Sequence, residues 1–288
     1  MSKIYLLKCQ KTHIPLLYQF VLPFEHTCTE LVSFLKKGFD DFYIFSDTQN
    51  PTFSKNIQGF FYINKVFLLC LPNFQNEIFQ YNELFSSFFS SQITNNISLI
   101  SGEKNSVDFV QNILEHQNII AKHQNLYKIM TLTKPPALPP EKLSDDDQIK
   151  CCTYDDLSAL LQLQKSYLIA EVALPNQKIS DSEASLMLSS LLKNQLVMAI
   201  TNGDCDEYVS KINTNAISPH FVQLGGIYTH PLYRKNYYAW HLLYAICKRI
   251  QKNNKNVSLF VKNNNEAAIN LYIKVGFCIQ NDFKIIYF

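Results

Sequence analysis

The chain has only two arginines in 288 residues, Arg234 and Arg249, and its formal net charge is +2. Proteins that bind nucleic acid usually cluster Lys and Arg on one surface, so this near-neutral charge argues against a nucleic-acid partner. The eight cysteines include no C-x-x-C pair, so they predict neither a zinc site nor a disulfide framework. We therefore expect reduced thiols, no metal and a cytoplasmic protein.

Long apolar runs are also absent. No stretch reaches about 18 apolar residues, so we expect no membrane-spanning segment. Lys3, Lys8 and Lys11 interrupt the first residues, which lack the apolar core of a secretory signal. A hydrophobic content of 47% with 17% charged residues is typical of globular domains, and the length allows one large domain or two ordinary ones.

The clearest boundary is the segment Thr133–Pro140, where four prolines fall within six residues. Proline breaks helices and central strands and stiffens a linker. The acidic run at 145–147 continues this segment, and a hydrated run of like charges is typical of a linker. We predict an N-terminal α/β domain at 1–133, a linker at 134–147 and a second domain at 148–288.

Hydrophobic spacing before the linker predicts two helices, three strands, a helix, a strand, a helix and a strand. The third of these helices is predicted at 77–89. Two hypotheses fit this order, namely a degenerate copy of the C-terminal half or an unrelated α+β domain. After the linker we predict a strand at 149–152, two helices, a strand at 196–200, a turn at 202–204 and a loop at 216–219.

The stretch 221–277 then reads as strand, loop and helix twice in succession. Such units favour a mixed sheet with crossover helices, and loops at the strand ends that can hold a ligand. The pair Gly225-Gly226 inside the first strand predicts a bulge or a close approach of another backbone or side chain.

Two motifs in this stretch resemble the GNAT family of N-acetyltransferases. Residues 265–277, N-E-A-A-I-N-L-Y-I-K-V-G-F, are similar to the family segment N-x-A-A-x-x-L-Y-x-x-x-G-F. Residues 234–239, R-K-N-Y-Y-A, lie where the family carries R/Q-x-x-G-x-G/A. The resemblance implies a GNAT-like α+β (mixed α/β) fold for the C-terminal half, acetyl-CoA as co-substrate, an amine as acceptor and direct transfer.

The resemblance also implies which residues contact CoA. The N-terminus of a helix offers free N–H groups and partial positive charge, which suit the pyrophosphate. The implied contacts are Ile227, Tyr228, Thr229, Arg234, Lys235, Asn236, Tyr237, Tyr238, Ala239, Asn265 and Tyr272. In the family the last of these, Tyr272, often protonates the departing thiolate, and core packing is its alternative role.

The loop departs from the family pattern, because Lys235 and Tyr237 stand where glycines are common. The Tyr237 side chain either points outward and leaves the N–H groups usable, or it obstructs the site. The general base is not identified: Gln223 can hold a water molecule but cannot accept a proton. Other candidates are His220, His230 and Glu171, the last of which lies in an apolar run and is our catalytic candidate beside Tyr272.

Three functions remain open at this point. The first is an acetyl-CoA-dependent N-acetyltransferase, and the second is a non-catalytic acyl-CoA-binding or regulatory module with a degenerate phosphate loop. The third is an aminoacyl-tRNA-dependent transferase, against which the near-neutral charge argues. The acceptor and the oligomeric state do not follow from the sequence.

Overall fold

A computed structural model describes residues 4–36, 38–72, 84, 86–88, 97–203 and 207–288. Contacts divide the chain into two compact units of mixed α and β structure. The first unit comprises Met1–Ile129, Val261–Asn264 and Gln280–Phe288, and the second comprises Met130–Phe260 and Asn265–Ile279. Within the part of the chain described here, no helix is both long and apolar enough to cross a membrane.

The first unit has the strand order β1-β2-β3-β4-β5-β12-β6, with strands numbered along the chain. β4 and β5 are parallel, and the predicted helix at 77–89 falls largely outside the described residues. The strands are β1 Tyr5–Lys8, β2 Phe42–Ser46, β3 Ile57–Asn64, β4 Val66–Cys70, β5 Leu99–Glu103, β6 His123–Leu132 and β12 Cys278–Tyr287. The helices are α1 Ile14–Val21, α2 Thr29–Leu35 and α3 Lys104–His116.

Aromatic side chains fill both faces of this first sheet. Adjacent strand residues point to opposite faces, so the fully buried neighbours Phe60 and Phe61 enter different cores. Phe60 packs with α1 and α2 residues such as Leu17 and Val32, whereas Phe61 packs with α3 residues such as Val110. The runs of apolar residues in β2–β4 follow from this burial on both faces.

The C-terminal strand belongs to the first unit, although it follows the second along the chain. β12 pairs antiparallel with β5, from Phe283 opposite Glu103 to Tyr287 opposite Leu99. Lys284 Nζ lies 2.7 Å from Asp108 of α3, and Ile286 is fully buried in the first unit's core. The expected domain bounds follow the chain continuously, whereas this division by contacts does not.

We predict that Ile286→Ala destabilises the first unit by about 2–5 kcal/mol, since it leaves a cavity in a closely packed core. The matched control is Ile279→Ala on the same strand, where 47% of the side chain is exposed, and we expect a change within about 0.5 kcal/mol. Urea unfolding followed by fluorescence compares the two variants. Equal effects would show that β12 does not contribute to this core.

The second unit has the strand order β11-β10-β9-β8-β7. β10 and β11 are parallel and the other pairs are antiparallel. The strands are β7 Gln148–Cys151, β8 Val197–Asn202, β9 Glu207–Ile217, β10 Phe221–Thr229 and β11 Asn256–Lys262. The helices are α4 Leu157–Tyr167, α5 Asp181–Asn194, α6 Tyr238–Gln251 and α7 Glu266–Val275.

Helices α4 and α5 cover one face of this second sheet. Leu160 of α4 and Leu188 of α5 pack on Val197 and Ala199 of β8. A capping box fixes where α5 begins, because the Ser180 hydroxyl accepts a hydrogen bond from the Glu183 N–H at 3.2 Å. After α4 the chain continues as a wider helical turn, Leu168–Val172, which carries Glu171.

Strand β9 corrects the sequence analysis, which placed only a turn and a loop between residues 202 and 219. The strand runs over 11 residues, and its first part lacks apolar alternation. Its buried side chains include Ser210, Lys211, Asn213 and Thr214, which a hydrophobic pattern does not detect. Strands β1 and β12 were likewise not predicted.

The two halves of the chain share one order of elements. Each half begins with a strand, two helices and three further strands, and ends with a strand, a helix and a strand. In the second half α6 lies between these two groups of elements. The corresponding segment of the first half lies mainly outside the described residues. This shared order confirms the hypothesis that the N-terminal half is a copy of the C-terminal fold.

The proline-rich segment belongs to the second unit and is held there by hydrogen bonds to α6 and α7. The Ala137 N–H donates to the Val275 carbonyl at 2.8 Å, and the Ala137 carbonyl accepts from Trp240 Nε1 at 3.1 Å. Gln251 Nε2 donates to the Lys134 carbonyl at 2.8 Å. These contacts fix both ends of α6.

Candidate active site

Strand β10 is bulged opposite β9. Gly225 pairs with Asn213 and Tyr228 pairs with Lys211, so the register shifts between these pairs. Gly226 has a φ of +59°, a left-handed conformation that glycine adopts without strain. The glycine pair therefore forms the predicted bulge.

The bulge also makes room for polar side chains of β9. A Cβ atom on Gly226 would lie 1.8 Å from Asn213 Oδ1, and one on Gly225 would lie 2.1 Å from Asn215 Nδ2. Both distances are far below van der Waals contact. A side chain at either position would displace these asparagine side chains, which explains why glycine suits both positions.

Lys211 lies behind the bulge and is fully buried. Its Nζ donates hydrogen bonds to the Gly226 carbonyl at 3.0 Å and to Asn213 Oδ1 at 3.3 Å. It also lies 4.8 Å from the ring centroid of Tyr167. Burial lowers the pKa of Lys211 from its ordinary value of 10.5 to about 7.

No carboxylate among the described residues forms an ion pair with Lys211. The Cys152 thiol is near, but burial raises its pKa to about 12, so it carries no charge at neutral pH. Burial likewise raises the pKa of Tyr167. An unpaired buried ammonium is costly, and the amine is therefore largely uncharged at slightly alkaline pH.

A cavity of about 350 Å³ opens beside the bulge. It lies between α4, α5, the turn after α4 and the two strands β9 and β10. Tyr167 is the only residue in its lining with an ionisable side chain. The lining consists of Gln164, Tyr167, Leu168, Val172, Met187, Ser190, Leu191, Asn213, Asn215 and Gly226.

Gln164 is the one lining residue with an orphan polar atom. The residue is 1% exposed, and its Oε1 has no hydrogen-bond partner. A buried acceptor without a donor costs free energy, so the geometry favours a ligand with an N–H or O–H group.

The loop between β10 and α6 has the left-handed backbone conformation typical of glycine at two positions where this chain has no glycine. Lys235 and Tyr237 have φ values of +69° and +56°, and these are the two positions where the GNAT pattern carries glycine. Among the described residues, no side chain forms a capping hydrogen bond at the N-terminus of α6. The N–H groups of a helix's first turn suit an anion.

The Tyr237 side chain points outward. It is 39% exposed, and its ring meets that of Trp240 edge-on, with centroids 6.4 Å apart. This exposure agrees with the alternative in which the side chain points outward. The neighbouring Tyr238 is buried, and its hydroxyl accepts a hydrogen bond from Asn202 Nδ2 at 3.0 Å.

Arg234 is exposed and lies against the end of β10. Its Nε donates to the Thr229 carbonyl at 3.2 Å, and its guanidinium lies 5.8 Å from the Tyr228 ring centroid. The Thr229 hydroxyl is 2.8 Å from that of Ser210. Strand end and loop are thus joined by side-chain contacts. Asn236 contributes backbone to the same loop, and Ala239 lies in the first turn of α6.

The start of α7 brings two further candidates together. Asn265 caps the helix, because its Oδ1 accepts from the Ala268 N–H at 3.2 Å. Its Nδ2 donates to Glu171 Oε1 at 3.5 Å. Tyr272 is buried, and burial, followed by the charges of Tyr167 and Glu171, raises its pKa well above the ordinary value.

The two histidine candidates flank β10. His220 precedes the strand, and its carbonyl accepts from the Asn256 N–H. His230 follows the strand next to the Tyr233 ring, and Gln223 is buried within the strand. None of the three lines the cavity. Sequence analysis missed Gln164, Lys211, Asn213 and Asn215, and the period-two spacing of the last three becomes a signal only once β9 is known.

Comparison with known proteins agrees with this architecture. A family model described as FR47-like protein matches residues 202–284. No curated protein sequence matches the chain. A Drosophila protein of known structure is 11% identical, with a TM-score of 0.65, and the match covers 100% of this chain and 99% of that one.

Two further solved structures carry functional names. A GCN5-related N-acetyltransferase from Sphaerobacter thermophilus is 11% identical, with a TM-score of 0.60, over 99% of this chain and 95% of that one. A tandem GNAT protein from the clavulanic acid biosynthesis pathway is 6% identical, with a TM-score of 0.60, over 99% and 98%. The chain therefore has the fold of the GNAT acetyltransferases, in two successive copies.

We predict that Lys211→Met changes how stability depends on pH. An unfolded lysine binds its proton below pH 10.5, whereas the folded one does so only below about pH 7. Between these values the unfolded state binds more protons, so wild-type stability rises with pH by about 1.4 kcal/mol per unit relative to the variant.

Urea unfolding of the wild type and the variant at pH 7.5 and 9.5 measures this difference, because the contributions of the other titratable groups to stability are the same in both proteins and cancel. Lys248→Met, an exposed lysine on α6, is the control and should show no such trend. A stability difference that stays constant across this range would contradict the lowered pKa of Lys211.

Proposed function

We propose that the chain is an acetyl-CoA-dependent N-acetyltransferase that moves an acetyl group directly to an amine. The observation that carries the proposal is the left-handed backbone at Lys235 and Tyr237, at the uncapped start of α6. Both residues keep the conformation that suits a phosphate loop, and this happens in the second of two GNAT-like copies, beside a bulged strand. The donor and the acceptor amine belong to the proposal.

The residues around the loop fit the parts of acetyl-CoA. The N–H groups at 235–239 suit the pyrophosphate, with charge from Arg234 and Lys235. The backbone at Ile227–Thr229 suits the pantetheine arm, which would lie beside the strand end. Asn265 lies at the start of α7, where its amide can contact the same arm.

Tyr272 would donate its proton toward the sulfur of the leaving thiolate. Its raised pKa keeps the hydroxyl protonated at neutral pH, so the donor is present throughout the physiological range. A thiol has an ordinary pKa of about 8.5, so complete transfer from tyrosine is unfavourable unless the buried thiolate is itself destabilised. Glu171 holds Asn265 and adds negative charge near Tyr272.

The competing proposal is a non-catalytic acyl-CoA-binding module. This proposal is motivated by the loss of both loop glycines. Lys235 and Tyr237 replace them, and left-handed conformations cost non-glycine residues about 1 kcal/mol or more. A binding module would hold acetyl-CoA and transfer its acetyl group to nothing. Turnover with any amine separates the two proposals.

We expect acetyl-CoA to bind the purified protein with micromolar affinity in calorimetry, and Arg234→Ala to weaken it about tenfold through loss of a charge-assisted contact. The other arginine gives the control. Arg249 lies at the far end of α6, 3.2 Å from Cys151 Sγ, and Arg249→Ala should bind as the wild type does. Absence of binding at millimolar ligand would end the enzyme proposal.

A second expectation concerns Tyr272→Phe, which removes the proton donor and keeps the ring in the core. We expect turnover to fall at least tenfold while acetyl-CoA affinity is retained, measured as thiol release with a panel of primary amines. Tyr244→Phe on α6 is the control, since that hydroxyl contacts only Lys248 among the hydrogen bonds found for it. Unchanged turnover in the Tyr272 variant would refute the acid role.

A further inference from the structure

The proposed acetyl transfer uses neither the cavity beside the glycine bulge nor Lys211. We propose that this cavity binds a small primary amine, that Gln164 Oε1 accepts a hydrogen bond from its nitrogen, and that the buried amino group of Lys211 takes up the proton which that nitrogen loses. The inference rests on the proposed acetyl transfer and names its acceptor class and its base.

The hydrogen bonds of Lys211 leave room for a proton. A neutral amine has two N–H groups and one lone pair, and the two acceptors on Nζ are the Gly226 carbonyl and Asn213 Oδ1. Both partners belong to residues that line the cavity. The third position on Nζ is therefore the lone pair. Lys211 is not itself part of the lining, so in this proposal a water molecule relays the proton from the cavity to Nζ.

Burial favours the uncharged form of Lys211 before the reaction. The groups that face it are Cys152 after β7, Tyr167 of α4 and the register partner Tyr228 of β10, and none of these three is a carboxylate. Once a proton is taken up, the Tyr167 ring at 4.8 Å stabilises the ammonium by a cation–π contact.

These groups account for every proton and electron pair in the proposed reaction. The acceptor ammonium gives one proton to Lys211, and the resulting amine attacks the thioester carbonyl carbon. A C–N bond forms and the C–S bond breaks, so the electron pair leaves on sulfur. Tyr272 gives its hydroxyl proton to the thiolate and then receives the second proton of the attacking nitrogen. Lys211 later releases its own proton to water.

The lining also selects the acceptor. A volume of about 350 Å³ lies at the small end of ligand pockets, which suits a small molecule. Its wall combines neutral polar groups with apolar Leu168, Val172, Met187 and Leu191, and has no acidic residue to pair with a second ammonium. We therefore expect amines with an uncharged body, and not polyamines or lysine-rich peptides.

The test uses the full-length protein with acetyl-CoA and two groups of amines. 2-Phenylethylamine and hexylamine represent the expected class, and spermidine and a lysine-rich peptide represent the excluded one. We expect thiol release with the first group at least tenfold faster than with the second. Faster turnover of spermidine or the peptide, or no turnover of either small amine, would overturn the acceptor class.

Variants at Lys211 test the base. Lys211→Met should keep acetyl-CoA affinity and lower kcat about 100-fold or more at pH 7.5. Wild-type kcat at saturating amine should rise through about pH 7, following the Lys211 titration, and the variant should lack this step. Lys211→Arg restores size and charge without a usable lone pair, so rescue by arginine would indicate a structural role and contradict the proposal.

Variants at Gln164 test the amine contact. Gln164→Leu should raise the KM for the amine at least tenfold, because it removes the acceptor of the hydrogen bond from the amine nitrogen. Lys248→Met again serves as the control. The proposed function fails if acetyl-CoA does not bind, whereas this inference fails if acetyl transfer occurs but the Lys211 and Gln164 variants behave as wild type.

Discussion

The second unit depends on a polar row packed against a glycine bulge. Lys211, Asn213 and Asn215 of β9 occupy the space beside Gly225 and Gly226 of β10, where an added Cβ atom would collide with the two asparagine side chains. Burying Lys211 and Asn213 is tolerated because their hydrogen bonds are made within the row and with the bulged backbone. The bulge lies in β10 shortly before the loop that leads to α6.

The loop shows how tertiary contacts preserve a backbone whose sequence has changed. Lys235 and Tyr237 hold left-handed conformations that glycine would adopt more easily. α6 is fixed beside them, because Trp240 donates to Ala137 of the proline-rich segment and Tyr238 is buried against Asn202. The surroundings thus determine the geometry at the start of the helix, and the outward Tyr237 ring leaves it accessible.

Much of the architecture could be predicted from local patterns. The spacing of apolar residues located α6 and α7. The pattern failed at β9, whose buried face is polar, so the residues behind the bulge were missed. Gln164 was missed for a related reason, since a glutamine on a helix gives no sign of which neighbours will enclose it.

By itself, the sequence determined the repeated strand–loop–helix order, the glycine bulge and the likeness to the GNAT pattern. These depend on periodicity, backbone preference and spacing along one segment, all of which are local. Only the tertiary structure decided that Lys211 is buried without a counter-charge, that β12 completes the first unit, and that a cavity opens beside Gly226. Burial and desolvation arise from residues distant in sequence, and so the chemistry of Lys211 exists only in the folded chain.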